Sequence, residues 1–263
     1  MTYRKYLEAA VQIAKEAGVL QLDGLHKAKQ IEFKGSKMNV VTQVDKACEK
    51  HIVDFLRGEF PEHDLLAEEG SRHQTHSDWL WIIDPLDGTL NYSHGYPLFA
   101  TSIGLMYKKE LVVGVVYEPN RDELFVAEKG GGALLNEKPI RVSDKTDMKL
   151  SMMSTGFAYN VNDTDLNNMD HFSNFIATSQ AVRRDGVAST NLCYVACGRF
   201  DGFWEMFLYP WDMAAGVLII QEAGGEVTLF DGSPIDIFKN EIVASNGHLH
   251  RQMIEVLKKG NSP

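Results

Sequence analysis

Between residues 99 and 129 the chain runs through three apolar segments, FATSIGLMY, LVVGVVYEP and LFVAEK, with NRDE joining the last two and glycines at 130 to 132 closing the run. Short apolar segments bounded by turn residues predict a β-meander, which excludes an all-helical fold. Helical periodicity precedes it. Tyr6, Ala10, Ile13, Ala17 and Leu20 recur at three- and four-residue spacing in a helix expected to reach about His26. Val44, Cys48, Ile52 and Phe55 do the same in a second helix, from the N-cap Thr42 to about Leu56. The short strand IEFK separates the two, and strands at DLLAE and WLWIID follow. In the second half, strands near 150–155, 180–184, 201–206, 225–230 and 241–245 alternate with helices near 165–178, 188–198, 212–223 and 247–259. This alternation predicts an α/β, layered α+β architecture. The polar stretch at 160–168, NVNDTDLNN, reads as the boundary between halves 1–160 and 161–263, which share a cleft within one compact unit.

With 36 acidic against 26 basic residues the formal charge is −10. That excludes a general nucleic-acid or membrane-surface binder, which needs a basic face. No apolar run approaches the ~20 residues of a membrane span, and the N-terminus lacks a basic-then-apolar signal, so the expected location is cytoplasmic. Three cysteines, an odd number, fit reduced thiols better than a disulfide framework, and Cys193 and Cys197 in LCYVAC read as core.

The chemistry concentrates in WIIDPLDGT, residues 81 to 89. An apolar strand ends at Asp84, Pro85 fixes φ, and Asp87 follows before a Gly88-Thr89 turn that can open a helix. Two carboxylates ~4 Å apart repel by roughly 4 kcal/mol at an effective dielectric of 20, a penalty a divalent cation removes. Alone, DPLDG also reads as an ordinary Asx turn. Two further acidic sites favour the cation. LLAEEG places Glu68 and Glu69 at a strand end, and YPWDMAAG places Asp212 at the start of an apolar helix, where it also reads as an N-cap. Glu68, Asp84, Asp87 and Asp212 form a carboxylate cage if the two halves face each other.

All these donors are hard oxygens, which select Mg²⁺ or Mn²⁺ over Zn²⁺. HQTH at 73–76 and HLH at 248–250 lack a third ligand and read as surface histidines. A cation in an acidic cavity attracts an anion, and the Gly88 and Thr89 amides at a helix start suit phosphate oxygens. Phosphoryl hydrolysis is the natural chemistry of such a site.

VTQVD (41–45), LLAEEG (65–70), WIIDPLDGTLNY (81–92), GRFDGFWE (198–205), PWDMAAG (210–216) and EAGG (222–225) together closely resemble the inositol monophosphatase family of Mg²⁺-dependent, lithium-sensitive phosphatases. The resemblance implies an αβαβα sandwich of the inositol monophosphatase / fructose-1,6-bisphosphatase type and a homodimer. It assigns Glu68, Asp84, the Leu86 carbonyl, Asp87 and Asp212 to two or three Mg²⁺ ions, with Asp84 bridging, and Glu68, Asp45 and Thr89 to catalysis. Asp45 keeps a structural alternative, because Thr42-x-x-Asp45 is also a capping box.

For the substrate, the resemblance implies contacts from Asp87, Gly88, Thr89, Gly186, Val187, Ala188, Glu205 and Asp212. Glu205 reads otherwise as a salt-bridged surface acid. Val187 replaces the family's usual Ser or Thr, removing a side-chain hydrogen bond, and Asn39 stands where Asp is common. The expected reaction is hydrolysis of a small polyol phosphate, first of all myo-inositol monophosphate. The alternatives are fructose-1,6-bisphosphate, histidinol phosphate, NADP or 3′-phosphoadenosine 5′-phosphate, or a regulatory protein-binding role found in some bacterial relatives.

Overall fold

In the computed structural model, which describes residues 2–27, 29–33, 40–159, 161 and 167–260, helix α1 (Arg4–Leu25) buries Tyr6, Ala10, Ile13, Ala17, Gln21 and Leu25. Its inward stripe steps from Ala17 to Gln21, so Leu20, expected inside, is exposed. β1 (Ile31–Phe33) pairs antiparallel with β2 (Val40–Thr42). Thr42 then caps α2 (Gln43–Glu59), accepting from the Val44 amide at 3.2 Å. Asn39 lies outside the described residues.

The large sheet holds β3 (Asp64–Ala67), β4 (Arg72–His73), β5 (Trp79–Asp87), β6 (Ala100–Tyr107), β7 (Glu110–Glu118), β8 (Glu123–Glu128), β9 (Ala133–Leu135) and β10 (Lys138–Ile140). Their order is β10-β9-β8-β7-β6-β5-β3-β4. β6 to β8 are the expected meander, and α3 (Thr89–Ser93) follows β5. The smaller sheet holds β11 (Met152–Thr155), β12 (Ala181–Arg183), β13 (Gly202–Met206), β14 (Glu226–Thr228) and β15 (Glu241–Ser245), in the order β12-β11-β13-β15-β14. Among the described residues the helices of the second half are α4 (Met169–Thr178), α5 (Ala188–Ala196), α6 (Pro210–Glu222) and α7 (His250–Leu257).

Strands covered on both faces read as continuous apolar runs, and successive residues enter different cores. Ile83 packs with Ile13 and Ile52 beneath α1 and α2, whereas its neighbour Ile82 packs with Leu192 and Ala214 of α5 and α6. In the small sheet Phe203 joins that same middle core, while Trp204 joins Phe175 of α4 and Met253 of α7. Five layers result, in the order αβαβα. The middle core draws on both halves of the chain, and most of the expected boundary at 160–168 lies outside the described residues. Among the described residues no helix is long and apolar enough to cross a membrane.

Two glycines set how closely α6 approaches the large sheet. Gly104 and Gly114 pair across β6 and β7. A Cβ on Gly104 would stand 2.8 Å from the Ala214 Cβ, and one on Gly114 2.6 Å from the Ala215 carbonyl oxygen. Backbone cannot swing aside as a side chain can. Gly114→Ala is therefore expected to cost about 1–3 kcal/mol, read as a lower denaturation midpoint, with activity falling because α6 carries Asp212.

His250, expected at the surface, is buried instead, bonding Ser245 Oγ through Nδ1 at 2.9 Å and Thr228 Oγ1 through Nε2 at 2.8 Å. It opens the inward stripe of α7 with Met253, Ile254 and Leu257, and two hydroxyls satisfy it there.

Candidate active site

β3 and β5 run parallel with Ala67 opposite Ile83, so the next residues, Glu68 and Asp84, emerge side by side at the strands' carboxyl ends. The Glu68 amide donates to the Ile83 carbonyl at 3.2 Å. Carboxyl ends of neighbouring parallel strands are where open α/β sheets present ligands. The turn beyond is held by a buried acid that carries no motif signal in the sequence, Glu49, whose carboxylate accepts from the Glu69 amide at 2.6 Å and the Ser71 amide at 3.0 Å.

β5 does not continue regularly past Asp84. Asp84 pairs with Ser102 and Asp87 with Ala100, a register shift at the point where Pro85 offers no amide to the ladder. The displaced Pro85 carbonyl accepts from Gln21 Nε2 at 2.8 Å and Thr101 Oγ1 at 3.2 Å. That role explains why a glutamine occupies the inward stripe of α1. Asp84 Oδ1 accepts from the Leu86 amide at 3.0 Å, closing an Asx turn. Gly88 follows at φ 94°, a left-handed conformation that glycine adopts without strain. The Asx turn and the acid cluster are one structure rather than alternatives.

Asp45 makes the capping box and also reaches Thr89. Asp45 Oδ2 accepts from the Thr42 amide at 2.9 Å, completing the capping box, while Oδ1 accepts from the Thr89 hydroxyl at 2.6 Å. Asp45 stands behind Thr89, fully buried. Burial raises its pKa, opposed by the hydrogen bonds from Thr42 and Thr89.

The second half reaches the same turn. Ser102, paired with Asp84, donates to the Trp211 carbonyl at 3.1 Å and so fixes the start of α6 beside it. Asp212 is the third residue of α6, its Oδ2 accepting from the Tyr209 amide at 2.7 Å. Val187 departs from expectation: its side chain is fully buried in the middle core and packs toward Gly88, where an added Cβ would lie 2.8 Å from Val187 Cγ2. The Val side chain therefore removes nothing from the cavity wall. Glu205 is no surface acid. It is 9% exposed, at the end of β13, and its carboxylate occupies the space that a Cβ on Gly156 would need, 2.1 Å away.

Glu68, Asp84, Leu86, Asp87, Gly88, Thr89, Gly186, Ala188, Glu205 and Asp212 line one cavity of about 360 Å³. Its wall also carries Arg184, two residues before Gly186 but not assigned to the site from the sequence, Phe207, expected in core or dimer packing, and Phe157, Tyr159 and Asn240, which sit in segments with no chemical signature. Glu69 and Val187 are not on it. Arg184 is the one lysine or arginine among the described residues of the wall, against five acids. Burial first, then Glu68, Asp87 and Asp212, push Asp84 well above the carboxylate range. Burial, Asp87 and Glu68 do the same to Asp212. Asp87 rises to about 6 through burial, held back by Ser189. Burial and Asp87 carry Glu205 to about 8, with Arg184 opposing.

Like-charged buried acids with a single cation nearby suit a hard divalent ion, and every donor here is oxygen. Among the described residues no three His, Cys, Asp or Glu side chains are grouped so as to hold a metal ion, so the four acids share the cavity without forming the carboxylate cage expected from the sequence.

The model of the inositol monophosphatase family matches residues 2–262. Inositol-1-monophosphatase of Synechocystis sp. is 42% identical over 253 residues, 96% of this chain and 88% of that protein. Nus factor SuhB of Pseudomonas aeruginosa is 40% identical over 261 residues, covering 96% and 95%. The solved structure of inositol monophosphatase from Anabaena (Nostoc) sp. PCC 7120 aligns with a TM-score of 0.89 at 40% identity, covering 97% and 96%. Fold, cavity and relatives define a phosphoric monoester hydrolase. The chain belongs to the inositol monophosphatase family.

Proposed function

We propose that this protein hydrolyses the phosphate monoester of a small polyol, with myo-inositol monophosphate the first candidate, using Mg²⁺ (two or three ions, with Mn²⁺ a substitute). The observation that carries this reading is the convergence of Glu68, Asp84, Asp87 and Asp212 on one cavity beside the Asp45–Thr89 pair. Glu68, Asp84, the Leu86 carbonyl, Asp87 and Asp212 would hold the cation, which supplies Lewis-acid polarisation of the phosphoryl group and neutralises its charge.

The chain's own residues do the rest. Thr89 donates its hydroxyl hydrogen bond to Asp45 Oδ1 and keeps lone pairs free to accept from an incoming water, fixing that water's orientation. Asp45, tied to the α2 cap, acts through Thr89 and keeps it in that rotamer. The Gly88 and Thr89 amides are donors for phosphate oxygens. Glu205 accepts hydroxyl hydrogens from the alcohol, beside the backbone of Gly186 and Ala188 at the start of α5. A homodimer belongs to the same reading.

The test is phosphate release from inositol, fructose, histidinol and nucleotide phosphates with Mg²⁺, then with added Li⁺. Inositol monophosphate is expected to be turned over at least about tenfold better than the others, a margin of roughly 1.4 kcal/mol in transition-state binding. Loss of turnover without divalent cation and inhibition by Li⁺ are expected too. Uniformly slow release would instead favour a protein-binding role, which the 40% identity to a protein named Nus factor SuhB supports. Such a role should survive Asp87→Asn.

A further inference from the structure

Ser189, the second residue of α5, is completely buried, and both of its donors go to one atom. Its amide lies 2.7 Å and its hydroxyl 2.6 Å from Asp87 Oδ2. Asp87 belongs to the large sheet and Ser189 to the middle helical layer, 102 residues later. Two other contacts key the same helix start to the same turn: Val187 fills the space beside Gly88, and Asn91 Nδ2 donates to the Asp185 carbonyl at 2.8 Å.

These contacts differ in what they require of the sequence. Any residue at 189 offers the amide, and any well-shaped apolar side chain fills the space at 187. Only a hydroxyl supplies a side-chain donor, added to the backbone hydrogen bonds that Asp87 receives from Ser189 and Ala188. Each further donor narrows the rotation left to the carboxylate, and the hydroxyl is the one that depends on the side chain at 189. Asp87 needs such an anchor because it is one of several mutually repelling acids in a buried wall.

Resting on the phosphatase reading above, we propose that Ser189 is a positioning residue: it ties back Asp87 Oδ2, restricting the carboxylate that would hold the cation. Residues that orient a ligand are worth about as much to metal affinity as many ligands themselves. Ser189 does not line the cavity, so its effect is expected on cation binding and, through that, on turnover.

The experiment is titration of the full chain with Mn²⁺ alone, followed by electron paramagnetic resonance, alongside kinetics at graded Mg²⁺. Ser189→Ala is expected to weaken Mn²⁺ about 10- to 100-fold, with turnover recovering toward wild type in excess Mg²⁺ and the ester's KM at saturating Mg²⁺ unchanged. Ser189→Thr keeps the hydroxyl and should bind Mn²⁺ nearly as wild type does. A purely structural serine would lower the denaturation midpoint of the metal-free protein without moving the Mn²⁺ titration. Should Ser189→Ala not fold, Ser189→Cys keeps the size with a weak donor and is read in the same way. A wild type that binds Mn²⁺, with the variant binding equally well, overturns this proposal alone. A wild type that binds none overturns it together with the phosphatase reading.

Discussion

Asp84→Asn is expected to lower kcat/KM by about 10³-fold or more and, in the same protein, to raise the melting temperature of the metal-free form. The two effects share one cause. Asp84 is 1% exposed and is the acid on which Glu68, Asp87 and Asp212 all act. Several kcal/mol of transition-state charge stabilisation depends on a cation held there, and each 1.36 kcal/mol is tenfold in rate, which gives the loss. Asparagine keeps the Oδ1 acceptor that holds the Leu86 amide at 3.0 Å, so the turn survives. It removes the cost of burying an ionisable acid among others, a gain of order 1 kcal/mol or about 2–4 °C for a chain of this size. Phosphate release at saturating Mg²⁺ and calorimetry in chelator read the two halves. A variant that keeps a tenth of its activity, or melts lower than wild type, would sink the assignment of Asp84 to the centre of the site.

Most of this geometry is legible in the sequence because the acids stand where periodic apolar elements end. DLLA and WLWII announce strands, so the two segments by themselves mark Glu68 and Asp84 as strand-end residues. What stays hidden depends on register and on partners distant along the chain. That β3 lies parallel beside β5, or that the chain slips register at Pro85, cannot be read from either segment alone. Gln21 interrupts the apolar stripe of its helix for no local reason; its partner, the Pro85 carbonyl, lies 64 residues away. Val187 misleads for a similar reason: motif position places its Cα at the cavity, but the α5 start turns its side chain toward Gly88 and the core. His250 shows the opposite error, a polar residue assigned to the surface although two buried hydroxyls hold it inside.

In chelator, the melting temperature is expected to rise as the pH is lowered from about 8.5 to about 6.5, and added Mg²⁺ to flatten that slope by stabilising the protein most at the alkaline end. Glu205 has a folded pKa of about 8 against an ordinary 4.5, and Asp87 about 6 against 3.8, while Asp84 and Asp212 are also raised. Between its unfolded and folded values each of these acids binds more protons folded than unfolded, so stability is lost as the pH climbs through that window. Glu205 alone corresponds to at most about 5 kcal/mol across it. His63 works the other way. Burial lowers its pKa from 6.5 to about 4, and it accepts from Trp81 Nε1 at 3.1 Å in an aromatic stack with Trp79. Its contribution is complete above pH 6.5 and is lost as the pH falls toward 4, so below about 6.5 it opposes the acids and the rise should slow or reverse. A bound cation keeps the carboxylates ionised and replaces the protons they would otherwise take up, which is why the slope belongs to the metal-free protein alone. A metal-free melting temperature that is level or increases from pH 6.5 to 8.5 would mean that the acids are not gathered in one buried wall, and the cation site would go with them.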